Sequence, residues 1–136
     1  MKRALDLDFP IAQFATRSMS YDEYVLRKEK NLFYVDAQAF AQNSLPKPIL
    51  PATFPEKIYI TIDVDAFDPS IIPSTGTPVP GGLTWYQALH LLHQITKDRQ
   101  VIGFDVVELA PIEHHHASDF AVASLVYLLM GMVQSL

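Results

Sequence analysis

The segment Lys57-Ile-Tyr-Ile-Thr-Ile-Asp-Val64 decides the fold. Its apolar side chains are β-branched or aromatic and stand at both odd and even positions, which predicts a strand that is apolar on both faces. Such strands are typical of parallel sheets that are covered by helices. The segment Val101–Val107 predicts a second buried strand, which ends at Glu108.

Helices are predicted on both sides of these strands. Ser20-Tyr-Asp-Glu23 and Thr84-Trp-Tyr-Gln87 have the capping-box pattern that begins a helix. Ser118 is a plausible N-cap for the apolar helix near the C-terminus. Two shorter apolar runs, Ile11–Thr16 and Leu32–Val35, have the length of strands. Strands that alternate with helices predict an α/β fold with a parallel sheet.

Composition narrows the classes of function. The chain has 136 residues, a formal net charge of -5, no cysteine, and basic residues that are scattered. The absence of a basic patch argues against nucleic-acid and anionic-membrane partners. The longest apolar run, residues 120–133, is shorter than the ~20 residues that a membrane span needs. The N-terminus does not resemble a signal peptide, and we expect a cytoplasmic protein.

Asp63 and Asp65 lie at the end of the first strand. Because they are two residues apart on a strand, we expect both side chains to project from the same face. Two such carboxylates repel each other, and a divalent cation removes that penalty. All-oxygen ligands favour a hard ion such as magnesium, calcium or manganese. The alternative is that one aspartate caps a turn and the other is solvated.

The surrounding sequence identifies a family resemblance. The stretch from Asp63 to Pro69, followed by Ser74–Leu83, is very similar to the C-terminal metal-binding motif of agmatinases and arginases. Ala15–Ser20 and Asp105–Pro111 resemble further segments of these ureohydrolases. The resemblance implies a three-layer α/β/α fold with a mainly parallel sheet. It also implies that residues 1–136 form a single partial domain that lacks the N-terminal half.

The resemblance implies a hydrolase with a binuclear manganese centre, which attacks a guanidinium carbon and releases urea. Asp63 and Asp65 match metal ligands of the family, Thr77 matches a threonine near the substrate, and Glu108 matches a glutamate that pairs with the guanidinium. A linear guanidino substrate is implied, with hydrolysis of agmatine to putrescine and urea. Thr77-Pro-Val-Pro-Gly-Gly-Leu83 resembles agmatinase more than arginase.

Other parts of the family's site have no counterpart in this sequence. An upstream histidine ligand, an Asp-Ala-His-x-Asp motif and the catalytic histidine are absent, so no catalytic residue is assigned here and the metal site is partial. The alternative function is an inactive, truncated or pseudoenzyme subunit that binds a full-length homologue. The partners expected are a small guanidino substrate, further copies (a trimer or hexamer in the family) or the missing N-terminal half.

Several polar residues near the site have other expected roles. Asp68 is expected to brace its loop through backbone amides. Gly76, Gly81 and Gly82 are expected to give that loop its backbone freedom. His114–His116 are adjacent in a turn and point in different directions, which argues against a functional metal site. A mononuclear site formed by these histidines and the aspartate pair is a further alternative.

Overall fold

The computed structural model describes residues 2–134, which fall into two compact units divided between Phe54 and Pro55. The first unit consists of short elements: α1 (Lys2–Asp6), β1 (Ala12–Phe14), α2 (Tyr21–Glu29), β2 (Phe33–Val35) and α3 (Ala37–Ala41). β1 and β2 pair in parallel. The sequence predicted both strands and α2. It did not predict α3, which buries Ala37 and Phe40.

The capping box at the start of α2 is confirmed. The Glu23 amide donates to the Ser20 hydroxyl at 3.3 Å, and the Ser20 amide donates to the Glu23 carboxylate at 2.7 Å. These reciprocal bonds satisfy two polar groups that the helix itself leaves without a partner. They also lower the pKa of Glu23, chiefly through the Ser20 amide.

A buried arginine connects the elements of the first unit. Arg27 is only 4% exposed. Its guanidinium donates to the Gln13 side chain at 3.0 Å and to the Asp36 carboxylate at 2.8 Å, and it lies over the Tyr34 ring. Because its partners lie on β1, on β2 and just after β2, Arg27 fixes α2 against this strand pair.

The second unit carries the longer elements: β3 (Lys57–Asp63), a 3-10 helix (Val64–Ala66), α4 (Trp85–Lys97), β4 (Gln100–Val107) and α5 (Ala117–Gln134). β3 and β4 pair in parallel, as the sequence predicted, with Asp63 opposite Val107. The two strands therefore end together. α5 packs against both β4 and α4. Within residues 2–134, the length and apolarity needed to cross a membrane are found in no helix.

The faces of β3 differ from the expectation of a strand covered on both sides. Ile58 and Ile60 are buried, whereas Tyr59 between them is 58% exposed. Successive side chains of a strand point to opposite faces, so the face of Ile58 and Ile60 is buried and the face of Tyr59 is exposed. Apolar composition alone does not reveal this difference, because Tyr59 counts as apolar in the pattern.

The ends of the two long helices were predicted with different success. The capping box of α4 is confirmed, since Thr84 and Gln87 exchange side chain–backbone hydrogen bonds. α5 begins at Ala117, so Ser118 lies inside the first turn and the prediction of Ser118 as N-cap is wrong. Its hydroxyl is instead buried, and it has no hydrogen-bond partner among residues 2–134.

Candidate active site

The two aspartates lie where β3 ends. Asp63 is the last residue of the strand, and Asp65 belongs to the following 3-10 helix. One oxygen of the Asp63 carboxylate accepts from the Asp65 amide at 3.0 Å and so caps this helix. The two side chains are therefore brought together by a capped turn, and the expectation that both lie on one strand face is wrong.

We call residues 63–83 the aspartate loop. Its base is closed where the Leu83 amide donates to the Ala66 carbonyl at 2.9 Å and the Asp68 amide donates to the Leu83 carbonyl at 3.0 Å. The ring of Phe67, which is buried, lies 5.9 Å from that of Trp85 at the start of α4. These contacts hold both ends of the loop beside the first turn of α4.

Asp68 braces the loop from within, as predicted. Its carboxylate accepts from the Ser70 hydroxyl at 2.6 Å, the Ser70 amide at 3.0 Å and the Gly81 amide at 2.8 Å. These donors, with the Ser70 hydroxyl foremost, lower the pKa of Asp68 to about 2. A charged Asp68 therefore connects Ser70 and Gly81 across the loop at neutral pH.

Two of the three loop glycines are required by the geometry. Gly81 has φ 83°, a conformation that favours glycine. A Cβ on Gly82 would lie 2.4 Å from the carbonyl carbon of Phe67, so a side chain cannot fit there without a backbone shift. Gly76 shows neither feature, since a Cβ there would meet nothing within 4 Å. The expected need for glycine is confirmed at Gly81 and Gly82 and is not found at Gly76.

Thr77 contacts one member of the aspartate pair. Its hydroxyl donates to the Asp65 carboxylate at 2.8 Å, although twelve residues separate the two in sequence. Thr77 itself is exposed. Thus a residue predicted to lie near the substrate contacts a residue predicted to bind metal. The sequence pattern by itself gives no sign of this contact, because nothing in it fixes how the loop folds back.

Glu108 lies at the end of β4. It has φ 66°, which is uncommon for a residue with a side chain and costs conformational energy. The next residue, Leu109, forms an isolated antiparallel bridge with Thr75, and the Ala110 amide donates to the Ser74 carbonyl at 2.9 Å. The aspartate loop is thereby connected to the segment that carries Glu108.

The electrostatics of Asp63 reflect this arrangement. Partial burial raises the pKa of Asp63, and the negative charges of Asp65 and Glu108 raise it further, against the lowering effect of the Asp65 amide. The negative charges of Asp65 and Glu108 thus act on Asp63 at the carboxyl ends of β3 and β4. That end of a parallel sheet is where α/β proteins bind ligands. A cation would relieve the repulsion.

The donor set fits part of a divalent-ion site. Asp63 and Asp65 offer the carboxylate oxygens that hard cations prefer. However, in the part of the chain that the structure describes, no group of three or more His, Cys, Asp or Glu side chains is placed to hold a metal ion. Asp63 and Asp65 therefore fit part of a ligand set, and their roles as metal ligands stay predictions.

The histidine turn, residues 113–116, has a different character. All three histidines are exposed. His114 Nε2 lies 3.2 Å from the Glu113 carboxylate, and His116 Nδ1 lies 3.6 Å from the carboxylate of Asp119. These are surface contacts between neighbours in sequence, and the turn does not bring its imidazoles together as a ligand set.

A polar cluster on the open face of the strand pair was missed by sequence reasoning. Tyr59 and Thr61 both donate from their hydroxyls to the Asp105 carboxylate, at 2.9 and 2.6 Å. The hydrogen bond from Tyr59 to Asp105 raises the pKa of Tyr59. The parallel register, which places Thr61 opposite Asp105, could have indicated this cluster once the two strands were aligned.

Both the sequence and the fold of this chain resemble those of known proteins. The model of the arginase family matches residues 1–131. The chain belongs to the arginase family. It is 40% identical to an N(1)-aminopropylagmatine ureohydrolase of Synechocystis sp., over 96% of this chain and 43% of that protein. It is 30% identical to an agmatinase of Pyrococcus horikoshii, over 96% of this chain and 46% of that protein.

The fold is shared with solved members of the family. The agmatine ureohydrolase of Thermoplasma volcanium aligns with a TM-score of 0.83 and 25% identity, over 98% of this chain and 46% of that one. The predicted arginase-like α/β fold with parallel strands is confirmed. The chain spans less than half the length of these relatives.

Proposed function

We propose that this chain supplies the C-terminal part of the active site of a manganese-dependent ureohydrolase that acts on a linear guanidino compound. The observation that carries the proposal is the convergence of Asp63, Asp65 and Glu108 at the carboxyl ends of two parallel strands. Asp63 and Asp65 would hold manganese. When bound, the metal would lower the pKa of a water molecule towards neutrality and orient it.

The substrate-facing groups suit a guanidinium ion. Glu108 offers a carboxylate that can accept two parallel N–H bonds from a planar guanidinium. Thr77 donates a hydrogen bond to Asp65, and we assign it, like Glu108, to the region around the guanidinium group. In the proposed reaction the water oxygen bonds to the guanidinium carbon, and the bond between that carbon and the nitrogen that bears the alkyl chain breaks. Both protons of the water pass to this nitrogen, which leaves as an alkylammonium group. Agmatine would yield putrescine and urea.

The relatives favour a second substrate of the same chemistry. The N(1)-aminopropylagmatine ureohydrolase of Synechocystis sp. is 40% identical, compared with 30% for the agmatinase of Pyrococcus horikoshii. Both compounds named in these relatives carry the same guanidino group. The choice between them depends on how the far end of the substrate is held, and both belong in the assay.

A non-enzymatic role is the alternative. A chain that spans 43% of its relative's length and, within residues 2–134, carries no complete metal-ligand cluster could act as an inactive subunit that binds a full-length homologue. Both functions are compatible with assembly of several copies or with an N-terminal half supplied by another polypeptide.

Complementation in trans distinguishes these functions. The chain would be mixed with the remaining segment of the Synechocystis relative and Mn²⁺, and urea release from agmatine and N(1)-aminopropylagmatine would be measured. We expect urea from the mixture and none after Asp63→Asn/Asp65→Asn, with His115→Ala/His116→Ala as the control that keeps activity. Assembly without urea release would favour the non-enzymatic subunit, and neither assembly nor urea would overturn both.

A further inference from the structure

The hydrogen bond between Thr77 and Asp65 is a contact between two predicted site residues. Asp65 lies two residues beyond the end of β3, on a 3-10 helix of three residues, where the strand ladder no longer holds the backbone. The Thr77 hydroxyl donates to Asp65 Oδ2 at 2.8 Å. The Asp65 carboxylate is therefore oriented by side-chain contacts, and the Thr77 hydroxyl makes one of them.

Thr77 is itself held in place by the aspartate loop. On one side of Thr77, the loop is tied to the end of β4 through Thr75 and Leu109. On the other side, the Gly81 amide is bound by Asp68. The segment that carries the hydroxyl is therefore restrained on both sides of Thr77. A group that orients another group needs such restraint.

The chemistry of a hydroxyl limits what else Thr77 can do. A threonine hydroxyl has one hydrogen to donate and two lone pairs that can accept. Since the hydrogen is given to Asp65, the oxygen can face a substrate only as an acceptor. The hydroxyl hydrogen is bonded to the Asp65 carboxylate, which is proposed to bind metal.

We propose that Thr77 is a positioning residue that orients the Asp65 carboxylate for the metal ion. This inference rests on the proposed function and deepens it. Hydrogen bonds to metal-binding carboxylates fix their orientation, and their loss typically weakens metal affinity by roughly 10–100-fold. Thr77 thereby connects the substrate side of the site with the metal side.

The chain offers a matched control. Thr61 also donates from its hydroxyl to an aspartate, Asp105, at 2.6 Å, but this pair lies within the strands and outside the proposed site. Thr77→Val and Thr61→Val each remove one Thr–Asp hydrogen bond and keep a β-branched side chain of the same shape. Thr77→Ser keeps the hydroxyl and removes only the methyl group.

Mn²⁺ titration of the whole chain, followed by paramagnetic line broadening of the amides around Asp65, tests the proposal. We expect Thr77→Val to weaken Mn²⁺ binding by about 10-fold or more, and Thr77→Ser and Thr61→Val to bind like the wild type. Thermal unfolding of each variant checks that the fold is kept.

The other outcomes are distinct. Wild-type binding by a folded Thr77→Val would overturn the positioning role and leave the proposed function intact. A Thr77→Ser variant as weak as Thr77→Val would show that the hydroxyl is not responsible and would also overturn it. An equal loss in Thr61→Val would assign the effect to general disturbance of the fold. A wild-type chain that takes up no Mn²⁺ would overturn the inference, whereas the proposed function is decided by the complementation assay.

Discussion

The aspartate loop and the histidine turn both follow a strand of the same parallel pair, and both carry residue types that bind metals. They differ in how the structure holds them. The aspartate loop is tied at its base, braced by Asp68 and bonded to the end of β4, and Thr77 holds Asp65. The histidine turn is exposed and makes contacts with its own neighbours in sequence.

This difference shows that the types of residue do not by themselves mark a site. Ligand groups become useful when the backbone and side chains around them fix their positions, because a loose group must be ordered each time a ligand binds. The histidine turn has three imidazoles, and restraints such as the bridge between Ile112 and His115 join close neighbours in sequence. The aspartate loop has two carboxylates and several restraints, and it carries the site that we propose.

The largest expected effect comes from breaking the closure of the aspartate loop. Gly82→Ala places a Cβ against the backbone of Phe67, which we expect to destabilise the fold by about 1–3 kcal/mol. Gly76→Ala is the matched control, since a Cβ there meets nothing, and should be neutral or stabilising by about 0.4–1 kcal/mol. Guanidinium denaturation of both variants measures the difference. Equal stabilities would contradict the closed geometry at Gly82.

A smaller effect is expected at Glu108, on the other side of the site. Its φ of 66° costs a residue with a side chain about 1–2 kcal/mol, and glycine avoids that cost. Glu108→Gly should therefore be more stable than Glu108→Ala by about 1 kcal/mol, after allowance for the greater freedom of glycine in the unfolded chain. The same denaturation experiment tests this. A Glu108→Ala variant at least as stable as Glu108→Gly would show that the strained backbone is not present in solution.

The smallest effect concerns the brace inside the loop. The pKa of Asp68 is lowered from 3.8 to about 2, so the charged form stabilises the folded state. That contribution is present above the unfolded pKa and is lost as the pH falls from about 4 towards 2. Asp68→Asn should reduce the acid sensitivity of unfolding in this window and leave its pH dependence near neutrality unchanged. Identical acid profiles for Asp68→Asn and wild type would contradict the role of the brace.

Much of the fold could be predicted because its signals are local. The capping boxes at Ser20 and Thr84 and the apolar runs of β3 and β4 depend on neighbouring residues, and the structure confirms all four. The short helix after Asp36 gave no comparable signal. Ala15 has φ 61°, a conformation that favours glycine, and no rule of composition would predict it for alanine.

The candidate site could be predicted only in part, because its contacts are distant in sequence. The motif indicated Asp63, Asp65, Thr77 and Glu108 through family resemblance, and their roles stay predictions. The capped turn between the aspartates and the bond from Thr77 to Asp65 depend on how a long loop folds back. The exposed face of β3 depends on which elements cover it, and the strand's own sequence does not determine that.

The central claim is that the metal-binding capacity of this chain lies in the aspartate loop and not in the histidine turn. Mn²⁺ titration with observation of amide line broadening tests it directly for the wild type, Asp63→Asn/Asp65→Asn and His115→Ala/His116→Ala. We expect broadening to centre on residues 63–65, to disappear in the aspartate variant and to persist in the histidine variant. Broadening that centres on the histidine turn, and is lost only when its histidines are replaced, would contradict the claim.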